Sequence, residues 1–84
     1  MKYRKKPIVI DAVQWDGSQE SLLALREMAP EAYLYSRVSS SGCLSFETLE
    51  GPMSYPLGYW IIRGVAGEVY GCHSKIFAAT YTLV

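Results

Sequence analysis

The chain has 84 residues, half of them hydrophobic, and its formal net charge is zero. This length leaves room for one domain around one core, which excludes a multidomain organisation and predicts a single domain over residues 1–84. No stretch reaches the roughly 20 apolar residues of a membrane span, and the N-terminus lacks the long apolar run of a signal peptide. We therefore expect a cytoplasmic protein without membrane contact.

The charges are unevenly distributed along the chain. Half of the basic side chains lie in a short arm, residues 1–6, namely Lys2, Arg4, Lys5 and Lys6. Residues 7–84 carry four basic and eight acidic side chains, a net charge of −4. The only cysteines, Cys43 and Cys72, show no CxxC spacing, and we expect free thiols in a reducing compartment.

The first predicted elements are a strand and a helix. Residues 7–15 are β-branched and apolar on both parities, which predicts a strand covered on both faces. Asp16 or Ser18 can cap a helix that continues to Pro30, because Leu22, Leu25 and Met28 recur at helical spacing. Asp11 interrupts the apolar strand, and we expect it to be partly buried beside an arginine such as Arg63.

The middle of the chain alternates in the manner of antiparallel strands. Residues 32–38 and 43–49 predict two strands joined by a polar turn at 39–42. Residues 53–57 are ambiguous, because Pro56 favours an edge strand or a loop.

Residues 59–72 carry the clearest structural signal. Two apolar runs flank Gly64 and Gly67, a pattern that predicts a β-hairpin, and the apolar run 59–63 suits a central strand. Residues 74–79, with Ser74 as cap, predict one or two helical turns, and residues 80–84 predict a last strand. The fold class is α+β: a small, mainly antiparallel sheet of five or six strands, with one helix after the first strand and a short helical turn near the C-terminus.

Three segments together resemble a family of small bacteriophage and prophage proteins. They are MKYRKKPIVIDAVQW at 1–15, GYWIIRGVAGEVYGC at 58–72 and IFAATY at 76–81. The chain departs from the family pattern at Tyr59, where Asp is usual, at Gly71 and Ser74, where proline is common, and at Ala78, where Glu is common. The resemblance implies a host-cell setting and supplies no activity or functional residue.

No catalytic or metal site is expected. The adjacent Cys72 and His73 could form a nucleophile and base or two metal ligands, but neighbours on a strand point to opposite faces. The acidic side chains Asp11, Glu47, Glu50 and Glu68 could form a carboxylate pair, although ion pairing explains them as well. The glycine-rich turn at 64–67 could contact an anion together with Arg63, yet it lacks phosphate-loop spacing. We expect no cofactor.

Tyrosine is the most abundant aromatic residue, with seven in the chain. Aromatic residues fill cores and also form contact patches, so core packing and a homo-oligomer interface both remain open. The predicted binding residues for a ligand or partner are Arg63, Tyr33, Tyr35, Arg37, Tyr59 and Tyr70.

We therefore expect a non-enzymatic accessory protein that binds a host protein or a small ligand such as a nucleotide, with a counter-defence role suggested by the resemblance. The alternative is a nucleic-acid-binding protein, since basic residues with an interleaved aromatic can grip phosphates and stack a base. Its candidate residues are Lys2, Tyr3, Arg4, Lys5 and Lys6.

Overall fold

A computed structural model of the chain describes residues 1–4 and 6–84. Lys5, part of the predicted arm, lies outside the described residues. The described part contains three helices and six strands paired antiparallel throughout, which confirms the α+β class. The strands are β1 (Asp11–Gln14), β2 (Arg37–Val38), β3 (Leu44–Thr48), β4 (Gly51–Tyr55), β5 (Trp60–Arg63) and β6 (Val69–Cys72). The helices are α1 (Gln19–Met28), α2 (Pro30–Leu34) and α3 (Ser74–Thr80).

The strands of the described chain divide between two three-stranded sheets. Sheet A has the order β1-β5-β6, and sheet B has the order β2-β3-β4. The chain segment that builds α1, α2 and sheet B is thus inserted between two neighbouring strands of sheet A. The apolar strand β5 is central, as its composition predicts.

The β5–β6 hairpin forms as predicted. The Gly64 N–H donates to the Glu68 carbonyl at 2.8 Å, and the Gly67 N–H donates to the Gly64 carbonyl at 3.0 Å. Gly67 has φ +85°, a backbone conformation that glycine adopts without a steric cost.

Strand β1 is shorter than the predicted segment of residues 7–15. Asp11 pairs with Arg63, the last residue of β5, and the chain then turns at Gly64. Residues 8–10 consequently have no partner strand in sheet A. Asp11 is exposed, and its expected burial is wrong because this end of the sheet carries no cover over it.

Helix α1 begins as its sequence predicts. Ser18 is the N-cap, with its hydroxyl accepting a hydrogen bond from the Ser21 N–H at 3.1 Å. Hydrogen bonds from Ser18, one of them from its backbone N–H at 2.9 Å, lower the pKa of Asp16. The helix ends at Met28, two residues before Pro30, as expected for a residue preceding proline.

The predicted strand over residues 32–38 is wrong for most of its length. Pro30 occupies the first turn of α2, where its fixed φ favours a helix and its missing N–H costs nothing. Ala32 on this helix is buried in the core, so tertiary packing overrides the alternating pattern. Only Arg37–Val38 pair as a strand, opposite Ser45 and Leu44.

The C-terminal helix is confirmed, and the strand predicted at 80–84 is wrong. His73, and not Ser74, caps α3: its Nδ1 accepts a hydrogen bond from the Lys75 N–H at 3.1 Å. Thr80 still belongs to the helix, with its hydroxyl donating to the Ile76 carbonyl at 2.7 Å. Among the described residues, no strand pairs with residues 81–84, which have no regular structure.

A single core joins the two sheets to α1 and α2. Its members are buried side chains from every one of these layers: Trp15, Leu25, Ala29, Ala32, Leu44, Phe46, Tyr55, Ile61 and Val69. The opposite face of sheet A carries Trp60 and Ile62, and α3 packs there through Phe77. None of the described helices has the length and apolar character needed to cross a lipid bilayer.

Candidate functional site

A groove lies on the α3 side of sheet A, and its volume is about 640 Å³. We call it the α3 groove. One wall is formed by residues 8–12, which include the first two residues of β1. The other wall is formed by residues 81–84, which follow α3. Trp60, Phe77 and Ala78 complete its lining. Among the residues that the structure describes, Asp11 is the one charged side chain in this lining.

The floor of the α3 groove is a stack of aromatic rings. The rings of Trp60 and Phe77 are parallel within 5°, with centroids 4.2 Å apart, and Tyr81 lies 5.0 Å beyond Phe77. Trp60 and Phe77 each cover one face of the other ring, and most of the surrounding side chains in the groove are apolar. Val9 on the rim is 75% exposed, which leaves the groove open to solvent.

Tyr70 lies on the same face of sheet A, in the row Ala12–Ile62–Tyr70 across the three strands. Burial, assisted by a hydrogen bond with Tyr81, raises the pKa of Tyr70 to about 12. The folded protein therefore holds the Tyr70 proton more tightly than the unfolded chain does, and Tyr70 ties β6 to the segment after α3.

This pKa shift predicts a loss of stability in alkaline solution. Because the folded pKa of Tyr70 is raised, its contribution is fully present below about pH 10 and is lost as the pH rises toward about 12. We expect the denaturation midpoint of the wild type to fall across this window, and that of Tyr70→Phe to fall less. Parallel curves for the two proteins would contradict the assignment.

A second concave surface, the inter-sheet cleft, opens between β6 and the β3–β4 hairpin. It consists of two adjoining cavities of about 370 Å³ each, which share Thr48, Leu49, Glu68 and Val69 in their linings. Further glutamates line its walls at positions 31, 47 and 50, and no basic side chain of residues 1–4 and 6–84 does. The cleft is therefore an apolar channel with an acidic rim.

The predicted binding residues do not form one surface. Tyr59 is half-buried between Tyr55, with ring centroids 5.9 Å apart, and His73, at 5.3 Å. Tyr33 belongs to α2 and packs beneath the Arg26 guanidinium, 5.9 Å from its ring centroid.

Arg63 has an internal role. One guanidinium nitrogen, Nη1, donates to the Met28 carbonyl at 3.0 Å and to Glu31 Oε1 at 2.8 Å. The expected pairing with Asp11 is not seen, although the two residues are opposite each other in the sheet. Arg63 thus joins sheet A to the end of α1, and an anion would have to displace these bonds.

The remaining predicted residues are exposed. Tyr35 is 75% exposed at the end of α2, and Arg37 lies on the outer face of sheet B in the row with Ser45 and Ser54. In the arm, Lys2, Tyr3, Arg4 and Lys6 are all exposed. These residues are free to meet a partner.

The Cys72 thiol and the His73 ring do not contact each other through a hydrogen bond. The Cys72 thiol points toward the His73 carbonyl at 3.6 Å, while the His73 ring caps α3. In the part of the chain that the structure describes, no group of three or more His, Cys, Asp or Glu side chains could hold a metal ion.

Comparison with known proteins adds no relative: no family model, no curated protein and no solved structure matches this chain. The site must therefore be argued from its own residues.

Sequence reasoning did not select Val9, Phe77 or the outer edge of β6. The alternation of residues 68–72 predicted the strand, but only the strand order β1-β5-β6 shows that this strand is an edge. No local signal reveals strand order, and the exposure of Val9 is known only from the structure.

Proposed function

We propose that this chain is a non-enzymatic binding protein that holds an apolar segment of a partner protein in the α3 groove. The observation that carries the proposal is the open, aromatic-floored groove of about 640 Å³. Its size lies within the roughly 300–1,000 Å³ of ligand sites, and its lining is apolar, as such sites require. Exposed apolar surface of this kind is typical of interaction sites.

A protein segment suits this groove better than a nucleotide does. Nucleotide phosphates need cations, yet none of the described basic side chains lines the groove, and the nearby Arg63 is engaged by Met28 and Glu31. A base stacks on an aromatic face, and one face of Trp60 is already covered by Phe77. Apolar side chains need neither feature.

The resemblance to small bacteriophage proteins supplies the setting. In that setting the partner is a host protein, and binding modulates or counters a host process in the cytoplasm. The groove chemistry supports the class of ligand, and the resemblance alone supports the host role.

The proposal is tested by selecting binders from a library of displayed random peptides. We expect enriched peptides with several apolar side chains, whose affinity falls at least about tenfold for Val9→Glu, because a carboxylate placed on the rim must be desolvated. Val65→Glu is the matched control: Val65 is 71% exposed, close to the 75% of Val9, and lies outside the groove.

Three results would count against the proposal. Peptides that bind Val9→Glu as well as the wild type would place the contact elsewhere. A thermal shift on adding cyclic nucleotides would favour the small-ligand version. A salt-dependent gel shift that disappears when residues 1–6 are removed would favour nucleic-acid binding through the basic arm.

A further inference from the structure

The inter-sheet cleft contains an unpaired strand edge. In sheet A, β6 pairs only with β5, so its other side is free. Val69, Tyr70 and Gly71 are consecutive residues that all line the cleft, as expected when the edge of a strand, and not one of its faces, borders the space.

The hydrogen-bond pattern between β5 and β6 shows which backbone groups of β6 are free. The Gly64 N–H bonds to the Glu68 carbonyl, and alternate residues of an antiparallel strand direct their backbone groups to the same side. The N–H and C=O groups of Val69 and Gly71 therefore point away from β5. Such a row of unpaired groups is a template for an added strand.

The rim of the cleft selects for a basic segment. Among the described residues, the one ion pair joins Glu31 to Arg63. Glu47, Glu50 and Glu68 line the cleft and have no described ion-pair partner; the Glu68 carboxylate itself lies beside Gly64. A partner strand that carries cations would be attracted and held in register by these charges.

The N-terminal arm has the matching composition. Lys2, Arg4 and Lys6 are exposed, and Tyr3, 87% exposed, supplies an aromatic side chain for the apolar channel. No hydrogen bond or ion pair joins these residues to the rest of the described chain. Six extended residues span about 20 Å, which exceeds the roughly 13 Å length of a four-residue strand such as β6.

The arm leads into β1, at the opposite edge of sheet A from β6. We propose that the arm of a second copy of this chain adds as a strand to the free edge of β6, within the inter-sheet cleft. Two copies that exchange arms reciprocally bury the same surfaces on each other and form a closed two-fold dimer. The +4 arm and the −4 body make the chain complementary to itself.

The proposal predicts a dimer whose stability depends on salt. We expect sedimentation equilibrium to give a dissociation constant that rises at least about tenfold between about 0.05 M and about 0.5 M salt, as screening weakens the charge contacts. A wild-type protein that stays monomeric at low salt and high concentration would overturn the proposal.

Charge reversal provides the decisive experiment. The arm variant Lys2→Glu/Arg4→Glu/Lys6→Glu and the cleft variant Glu47→Lys/Glu50→Lys should each be monomeric, and their mixture should form a one-to-one complex. Glu20→Lys/Glu27→Lys is the control: it makes the same charge change as the cleft variant at exposed positions on α1 and should leave the dimer intact.

All the replaced side chains are exposed, so we expect each variant to fold. Circular dichroism checks this expectation. No complex in the mixture would overturn the proposal, as would crosslinks from the arm to the cleft found only within one chain. The Val9→Glu variant should still dimerise, which separates this inference from the proposed partner groove.

Discussion

Replacing Trp15 with alanine is expected to remove about 4 kcal/mol of folding free energy, a large share of the stability of so small a domain. A chain of 84 residues has a stability of roughly 4–13 kcal/mol. Trp15 is 2% exposed and lies within the core cluster. Its removal leaves a large cavity in a domain too small to compensate elsewhere.

Trp15 also joins distant parts of the chain. Its indole Nε1–H donates to the Gly42 carbonyl at 2.7 Å, which links the end of β1 to the turn between β2 and β3. Its backbone N–H donates to Tyr59 at 2.8 Å, and its carbonyl accepts from Gly58 at 2.7 Å. The side chain therefore holds sheet B against sheet A.

Two further variants separate packing from hydrogen bonding. Trp15→Phe retains much of the volume but leaves the Gly42 carbonyl without its donor, and should cost about 2 kcal/mol. Trp60→Phe is the control, because Trp60 is only half-buried and its indole makes no described hydrogen bond; it should cost about 1 kcal/mol or less. Urea titrations followed by circular dichroism measure all three. A Trp15→Phe protein as stable as the wild type would exclude this role for the indole.

Replacing Gly71 with alanine is expected to cost about 3 kcal/mol, the upper part of the range for overpacked cores. A Cβ at position 71 would lie against the Tyr55 ring, closer than real Cβ atoms approach. That ring is 5% exposed, with Phe46 at 5.5 Å and Tyr59 at 5.9 Å between centroids, so it cannot move aside.

Gly64→Ala is the matched control for this prediction. Both glycines have ordinary, non-positive φ angles, and the atoms nearest to a Cβ at position 64 all belong to the Glu68 side chain. This end of a flexible side chain can swing into solvent, so we expect a change within about 1 kcal/mol. Equal losses for the two variants would show that the backbone, and not the Tyr55 ring, determines the cost.

The same contact bears on the proposed dimer. Gly71 belongs to the edge strand β6, and because it has no side chain, the Tyr55 ring packs onto the core-facing side of this strand and lines the inter-sheet cleft. A bulky residue would push sheet B away from β6. The folding stability of the protein and the shape of the inter-sheet cleft thus both depend on Gly71.

The elements that the sequence predicts well are those specified by local chemistry. The hairpin follows from glycines between two apolar runs, and α1 follows from a capping Ser18, an apolar stripe and Pro30. In each case a few neighbouring residues contain the necessary information. The candidate residues of the arm could also be identified, because charge segregation is visible without a structure.

The predictions that failed required knowledge of distant partners. Residues 32–34 alternate like a strand, but burial of Ala32 makes them a helix. Residues 8–10 and 81–84 have strand-like composition but no neighbouring strand that could pair with them. Propensity cannot supply a partner, and tertiary packing overrides it.

By itself, the sequence determined the composition, the hairpin, the first helix and the opposed charges of arm and body. Only the tertiary structure decided that the six described strands form two sheets, that β6 is an edge and that the predicted binding tyrosines do not share one surface. The physical reason is that grooves and strand edges arise from the arrangement of elements that lie far apart in the chain. Trp15 and Gly42, joined across 27 positions, illustrate this dependence.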